Sequence, residues 1–198
     1  MTKLRRPLSM GKVFLIAFAI GLVLVLGAGA WSQYRDLKRP NQTRIAPTHL
    51  LAQGVNVSAQ LPLEAIAPLV PRGYAAVIDL RPDGEAPDEP SSSEMAQAAH
   101  AAGLAFHYVP VPHGEIPASA VAALSAALAD HQGPVLLYCR SGKRAARTWA
   151  LAEAGRVGGM SADQIVAAVS NSGQDARDLR GRIDAAIAAR TQPEGRQP

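Results

Sequence analysis

Val135-Leu136-Leu137-Tyr138 runs directly into Cys139-Arg140-Ser141-Gly142-Lys143-Arg144, and Ala145 to Leu151 then has a helix-forming composition. A short apolar run bounded by a glycine-containing turn reads as a buried strand, a tight loop and a helix. Cys139 is the only cysteine in the 198 residues, which excludes an intramolecular disulfide framework and a paired-cysteine redox motif. A lone cysteine ordinarily packs as a small hydrophobe. Here the loop argues otherwise. A thiol at the carboxyl end of a buried strand faces the N–H groups of a turn and the positive end of the next helix. Both favour the thiolate, which is the nucleophile.

The rest of the chain supplies strands and helices in alternation. Val55 to Ala59 alternates as a first strand. Leu61 to Val70 has helical spacing interrupted by Pro68, so a short or bent helix is expected, ended by Pro71-Arg72-Gly73. Tyr74 to Leu80 reads as a buried strand, followed by the turn cluster Arg81-Pro82-Asp83-Gly84-Glu85 and an acidic, proline-rich loop to Pro90. Ser91 and Glu94 form a capping box that opens a helix through Ala102, closed by Gly103. Leu104 to Val109 is the next strand, and Ala118 to His131 an alanine-rich helix stopped by Gly133-Pro134. Beyond the Cys loop, helices are expected at Arg144–Glu153, from a Ser161 cap to about Ser170, and over Asp175–Arg190 with Leu179, Ile183 and Ile187 on one stripe. This alternation predicts an α/β fold with a mostly parallel central sheet flanked by helices. Ligands then bind at the carboxyl ends of the strands, where Cys139 lies.

Charge separates the chain into two parts. Residues 1–44 hold eight Lys/Arg and one acid, whereas residues 45–198 hold twelve basic and fifteen acidic residues. The basic excess therefore belongs to the leader and flanks an apolar run, which argues against a nucleic-acid partner. Val13 to Ala30 is 18 residues without a charge, about 27 Å as a helix and close to one hydrocarbon thickness. Trp31 and Tyr34 fall where interfacial aromatics belong. The expected organisation is a basic segment (1–12), a transmembrane anchor (13–31), a juxtamembrane linker (32–44), a domain (45–190) and a flexible tail (191–198). Ala28-Gly29-Ala30 also fits a signal-peptidase site, but the length of the run favours an uncleaved anchor. An anchor of this kind ordinarily leaves a single-pass protein in the cytoplasmic (inner) membrane with its domain on the outer, periplasmic side.

The chemistry lies in the loop. Successive N–H groups across a Gly142 turn form an anion nest, and Arg144 adds a fork of donors for an oxyanion. Cys139 and Arg144 are the expected catalytic pair, with Arg140, Ser141, Gly142, Lys143 and Ala145 completing the anion-binding loop. Scattered histidines and one cysteine show no metal-ligand spacing, so neither a metal nor a cofactor is expected. The spacing Cys-x4-Arg is one residue shorter than the Cys-x5-Arg of tyrosine and dual-specificity phosphatases. It is similar to the rhodanese pattern Cys-x-x-Gly-x-Arg, in which the cysteine carries a persulfide.

Four segments now stand in order: Val57 to Gln60, Val77 to Glu85, Ala102 to Val111, and Tyr138 to Arg144. Together they resemble the phosphatase-like domain of beta-lactamase hydrolase-like proteins, over about residues 45–155. The resemblance implies a protein-tyrosine-phosphatase-like fold, a rhodanese-like loop and the class hydrolase, with sulfur transfer as a competing reaction. True phosphatases place an aspartate general acid in the loop after the strand preceding the last helix before the Cys strand. That loop here reads Pro110-Val111-Pro112-His113-Gly114-Glu115 and contains no Asp. His113 and Glu115 are candidate proton donors, as are Asp83 and its neighbour Glu85, although Asp-Gly also serves turn geometry.

Three functions are compatible with these residues. The first is a membrane-anchored hydrolase whose Cys139 thiolate attacks an anionic group. The second is a sulfurtransferase carrying a persulfide on Cys139, with a sulfur donor and acceptor as its partners. The third is a non-catalytic module that captures an anionic group.

Overall fold

The computed structural model describes residues 46–191 except Asp88. The basic segment, the expected anchor at 13–31 and the linker at 32–44 lie outside the described residues, as does the tail beyond Thr191. Among the described residues no helix is long and apolar enough to cross a membrane.

Five strands form one mixed sheet: β1 (His49–Ala52), β2 (Val55–Ser58), β3 (Ala76–Asp79), β4 (Ala105–Tyr108) and β5 (Val135–Tyr138), in the order β1-β2-β5-β3-β4. β2, β5, β3 and β4 run parallel, and β1 joins antiparallel at one edge. The helices are α1 (Ser92–Ala102), α2 (Ala118–Ala129), α3 (Lys143–Gly155), α4 (Ala162–Asn171) and α5 (Arg180–Thr191). The expected bent helix after β2 is two short 3-10 segments, Leu63–Ala65 and Ala67–Arg72, because prolines at 62, 68 and 71 interrupt any longer α-helical ladder. β1 was not anticipated. It is a four-residue edge strand with Leu50 exposed, so it lacks the apolar alternation that marks a half-buried strand.

The central strands are buried on both faces, as crossover helices on each side require. Along β5, Val135 and Leu137 join one apolar cluster, and Leu136 and Tyr138 join the other. The first cluster holds α2, α3, α4 and α5 against the sheet through Leu124, Trp149, Ile165 and Ile183. The second packs α1 and the 3-10 segments through Met95, Ala99, Ala65 and Leu69. The capping box of α1 forms as the sequence predicts: Glu94 N donates to Ser91 Oγ (3.3 Å) and Ser91 N to the Glu94 carboxylate (2.8 Å). The box of α4 does the same with Ser161 and Gln164.

The sheet register brings the ends of β3 and β5 side by side, pairing Asp79 with Tyr138. Asp79 is 3% exposed, and its Oδ1 accepts the Arg81 N–H at 2.8 Å. Burial pushes the Asp79 carboxyl up to about 6, against the lowering effect of the Arg81 N–H. The Tyr138 hydroxyl is buried beside the Asp79 carboxyl. Burial and the neighbouring Asp79 hold it well above the usual phenol range.

A carboxyl whose pKa is raised on folding binds its proton more tightly in the native than in the unfolded state. Its charged form therefore destabilises the fold at neutral pH, and that penalty disappears as pH falls through about 6 toward 3.8. Asp79→Asn keeps an acceptor for Arg81 N and should raise stability by about 1–3 kcal/mol at pH 7.5. Urea unfolding across pH should show this gain shrinking below pH 6 and vanishing near pH 4. A gain independent of pH would contradict the assignment.

Candidate functional site

β5 is the middle strand of the sheet, so its carboxyl end delivers Cys139 to the centre of the crevice where α/β folds bind ligands. Cys139 is 1% exposed and packs with Ala145 and Ala146 of α3. Gly142 caps α3 with φ 84°, and a Cβ there would stand 3.3 Å from the Ser58 carbonyl at the end of β2. Both the left-handed backbone and the close approach call for glycine.

From Arg140 through Ala145, no backbone N–H donates to a protein acceptor among the described residues. The first ladder bond of α3 is Ala146 N to Gly142 O at 2.9 Å. A consecutive run of free N–H groups curving into a helix N-terminus is an anion nest.

Arg144 is fixed by three hydrogen bonds. Its Nη1 donates to Glu85 Oε1 (2.5 Å) and to the Val111 carbonyl (2.7 Å), and its Nη2 donates to Glu85 Oε2 (2.6 Å). Of the five N–H donors of a guanidinium, the Nε–H and one Nη2–H meet no protein oxygen among the described residues, with Cys139 beside them, and form a parallel pair suited to two oxygens of one anion. Burial acts against the Arg144 charge. The bonds to Glu85 and the neighbouring Cys139 outweigh it, so the guanidinium is held above its ordinary pKa. The same bonds hold the Glu85 carboxyl below its ordinary range, although burial opposes them.

Glu85 is itself held in place. Arg81 Nε donates to Glu85 Oε2 at 3.1 Å, Arg81 pairs with Glu89, and Glu85 N donates to Glu89 Oε1 at 2.8 Å. Arg81 Nη1 reaches Gln60 Oε1 at 2.9 Å, and Gln60 N meets the Arg140 carbonyl at 3.4 Å. The four sequence segments quoted above thus meet around the loop: Gln60, Arg81 with Glu85, Val111, and Cys139 to Arg144. From the other side, Gln174 Nε2 donates to the Ser141 carbonyl at 3.1 Å. Neither the Glu85–Arg144 clamp nor the Gln174 contact follows from local sequence pattern, because each joins residues far apart in the chain.

The candidate proton donors separate. Asp83 accepts from Ser92 N (2.7 Å) and Ser92 Oγ (2.6 Å), so its carboxylate caps the start of α1. Glu115 is exposed and makes no side-chain hydrogen bond or ion pair among the described residues. Glu85 meets the loop as an acceptor committed to Arg144, and His113 stands beside it: its Nε2 lies 3.4 Å from Glu85 Oε1, its side chain is 72% exposed, and it lines a cleft of about 440 Å³ together with Ile116, Lys143 and Arg144. Arg182 of α5 steadies this wall by donating to the Ile116 carbonyl at 3.0 Å. Among the described residues no group of three or more metal-ligating side chains converges.

Comparison with known proteins places this geometry. A beta-lactamase hydrolase-like protein of Xylella fastidiosa is 44% identical over 82 residues, which are 41% of this chain and 19% of that protein. The chain thus matches about a fifth of the length of its curated relatives. A crystal structure of a candidate phosphatase from Neisseria meningitidis is 30% identical, covers 70% of this chain and 96% of that one, and superposes with a TM-score of 0.58. A kinase-associated phosphatase with its catalytic-site cysteine replaced by serine shares the fold at 15% identity, 75% and 99% coverage and a TM-score of 0.57. The scaffold is therefore a phosphatase-like fold. Residues 48–156, more than half of the chain, match the family described as beta-lactamase hydrolase-like protein, phosphatase-like domain, and the chain belongs to that family.

Proposed function

We propose that this protein is a phosphatase-like hydrolase in which Cys139 is the nucleophile. The observation that supports this best is the loop itself: free N–H groups from Arg140 to Ala145, and beside Cys139 an Arg144 clamped so that two donors stay available. The Cys139 thiolate attacks phosphorus, and the bond from phosphorus to the leaving oxygen breaks. Protonated His113 gives that oxygen its proton. Water then attacks the phosphocysteine, neutral His113 takes the water proton, and the sulfur–phosphorus bond breaks to release phosphate and the thiolate. The loop N–H groups and Arg144 hold the equatorial oxygens throughout, where preorganised donors act most strongly. The apolar run at 13–31 would tether the domain to the inner membrane on its outer side.

One observation favours a second reading. The Cys-x4-Arg spacing suits a rhodanese-like sulfurtransferase. There the Cys139 thiolate takes the outer sulfur of thiosulfate, sulfite leaves, and cyanide removes the sulfur as thiocyanate.

The two readings part in a single comparison. The purified full chain should release phosphate from an aryl phosphate, and Cys139→Ser should abolish that release. Thiocyanate from thiosulfate and cyanide without phosphate release would overturn the hydrolase in favour of sulfur transfer. Neither product, with retained phosphate binding, would leave a capture module.

Glu85→Gln should lower kcat/KM for the aryl phosphate by about 10- to 100-fold, because Arg144 loses its orientation rather than its charge. An unchanged value would show that the clamp does not position Arg144 for catalysis. For the proton donor, the readout is the leaving group. His113→Asn should slow phenyl phosphate by at least about tenfold while affecting nitrophenyl phosphate little, since a stable leaving group needs no proton. Glu115→Gln should treat both alike, and the reverse result would move the acid to Glu115. For the anchor, cell fractionation should place the chain in membranes. A soluble periplasmic protein beginning at Trp31 would show a cleaved signal instead.

A further inference from the structure

The loop carries more positive charge than one oxyanion requires, and the excess is unevenly placed. Arg140, Lys143, Arg144 and Arg147 follow one another with no acid between them. Arg147 is engaged by Asp178 through two hydrogen bonds of 2.6 and 2.7 Å, and by the Asp175 carbonyl at 2.8 Å. Arg144 is engaged by Glu85. Arg140 and Lys143 are exposed, and neither side chain has an ion pair or hydrogen bond among the described residues.

Their positions differ. Lys143 lines the cleft beside the loop, with Arg144, His113 and Ile116, and Arg140 does not. The acids of that cleft are already matched: Asp178 by Arg147, and Asp175 by Arg177 at 2.7 Å. The cleft therefore holds one uncompensated charge, the Lys143 ammonium, on the residue next to Arg144. Lys143 also opens α3, whose first turn contains no acid. A cation there opposes the helix dipole, and such a local cost is most readily understood where function requires the charge.

We propose that Lys143 is a specificity-determining residue that recognises a second anionic group on the substrate. The substrate class is a phosphate or sulfur oxyanion bonded to a small body that carries a further anionic group, such as a carboxylate. The first group fills the loop at Cys139. The body lies in the cleft against Ile116, and the second anion meets the ammonium. A lysine on a flexible stem is a point charge that needs no fixed bidentate geometry, so it tolerates a range of distances between the two groups. The inference rests on the loop being an anion site, and it holds whether phosphorus or sulfur reacts there.

The test is a binding measurement, so that it does not depend on turnover. The full chain carrying Cys139→Ser is titrated with phenyl phosphate and with 3-carboxyphenyl phosphate in an isothermal calorimeter at fixed ionic strength. The carboxylated ligand should bind about three- to fivefold more tightly, the upper range for one charge pair at an exposed lysine. Lys143→Gln in the same background should remove most of that difference, and Lys143→Arg should restore it. If phenyl phosphate binds and the carboxylate adds nothing, or if its advantage survives Lys143→Gln, the role of Lys143 is overturned while the anion loop stands. If neither ligand binds, the loop is not an anion site, and both this inference and the proposed function fall.

Discussion

The ion pair between Glu85 and Arg144 is the contact on which the geometry of the site depends. Both side chains are about seven-eighths buried, at 12% exposure each. At that depth, removing two charges from water costs several kcal/mol per ion and is offset only by good geometry. The geometry here is good, because the carboxylate meets two guanidinium nitrogens and the Val111 carbonyl takes a third donor. A pair of this kind contributes little net stability, but it sets direction. It turns Arg144 so that its remaining donors lie beside Cys139. The chain Arg144, Glu85, Arg81, Glu89 alternates in sign, so no member is buried beside an unmatched charge. Four connections of the sheet are tied to one another through that network: those after β2, β3, β4 and β5.

This dependence explains which parts of the molecule could be read from sequence. The strand–loop–helix unit, the capping boxes at Ser91 and Ser161, and the Cys139–Arg144 spacing are local patterns, and the structure reproduces them. The segments flanking the loop also carry a family pattern in their order. The role of Glu85 was harder to see, because Arg81-Pro82-Asp83-Gly84-Glu85 reads as turn chemistry. The turn is real: Asp83 caps α1 and Gly84 has φ 80°. Its consequence is to return Glu85 to a residue 59 positions later, which no periodicity encodes. β1 escaped for a different reason. Edge strands need few apolar residues, and its pairing partner β2 supplies what marks it as a strand.

The absence of an aspartate in the loop after β4 distinguishes this site from that of a tyrosine phosphatase. That loop instead carries a histidine whose largely exposed ring stands against the clamp, with His113 Nε2 3.4 Å from Glu85. The same carboxylate thus faces both the Arg144 guanidinium and the His113 imidazole. In the proposed mechanism one residue therefore links anion binding to proton supply. It also accounts for the placement of the cleft, whose walls come from the His113 loop, the start of α3 and the segment after α4.

The central claim is that Cys139 forms a covalent bond to phosphorus within this loop. Its most direct test is the mass of the Cys139 peptide from protein quenched in acid during turnover of an aryl phosphate. A phosphoryl adduct on Cys139, absent from unreacted protein, is the predicted result. An unmodified thiol throughout turnover, or a persulfide in its place, would contradict the account.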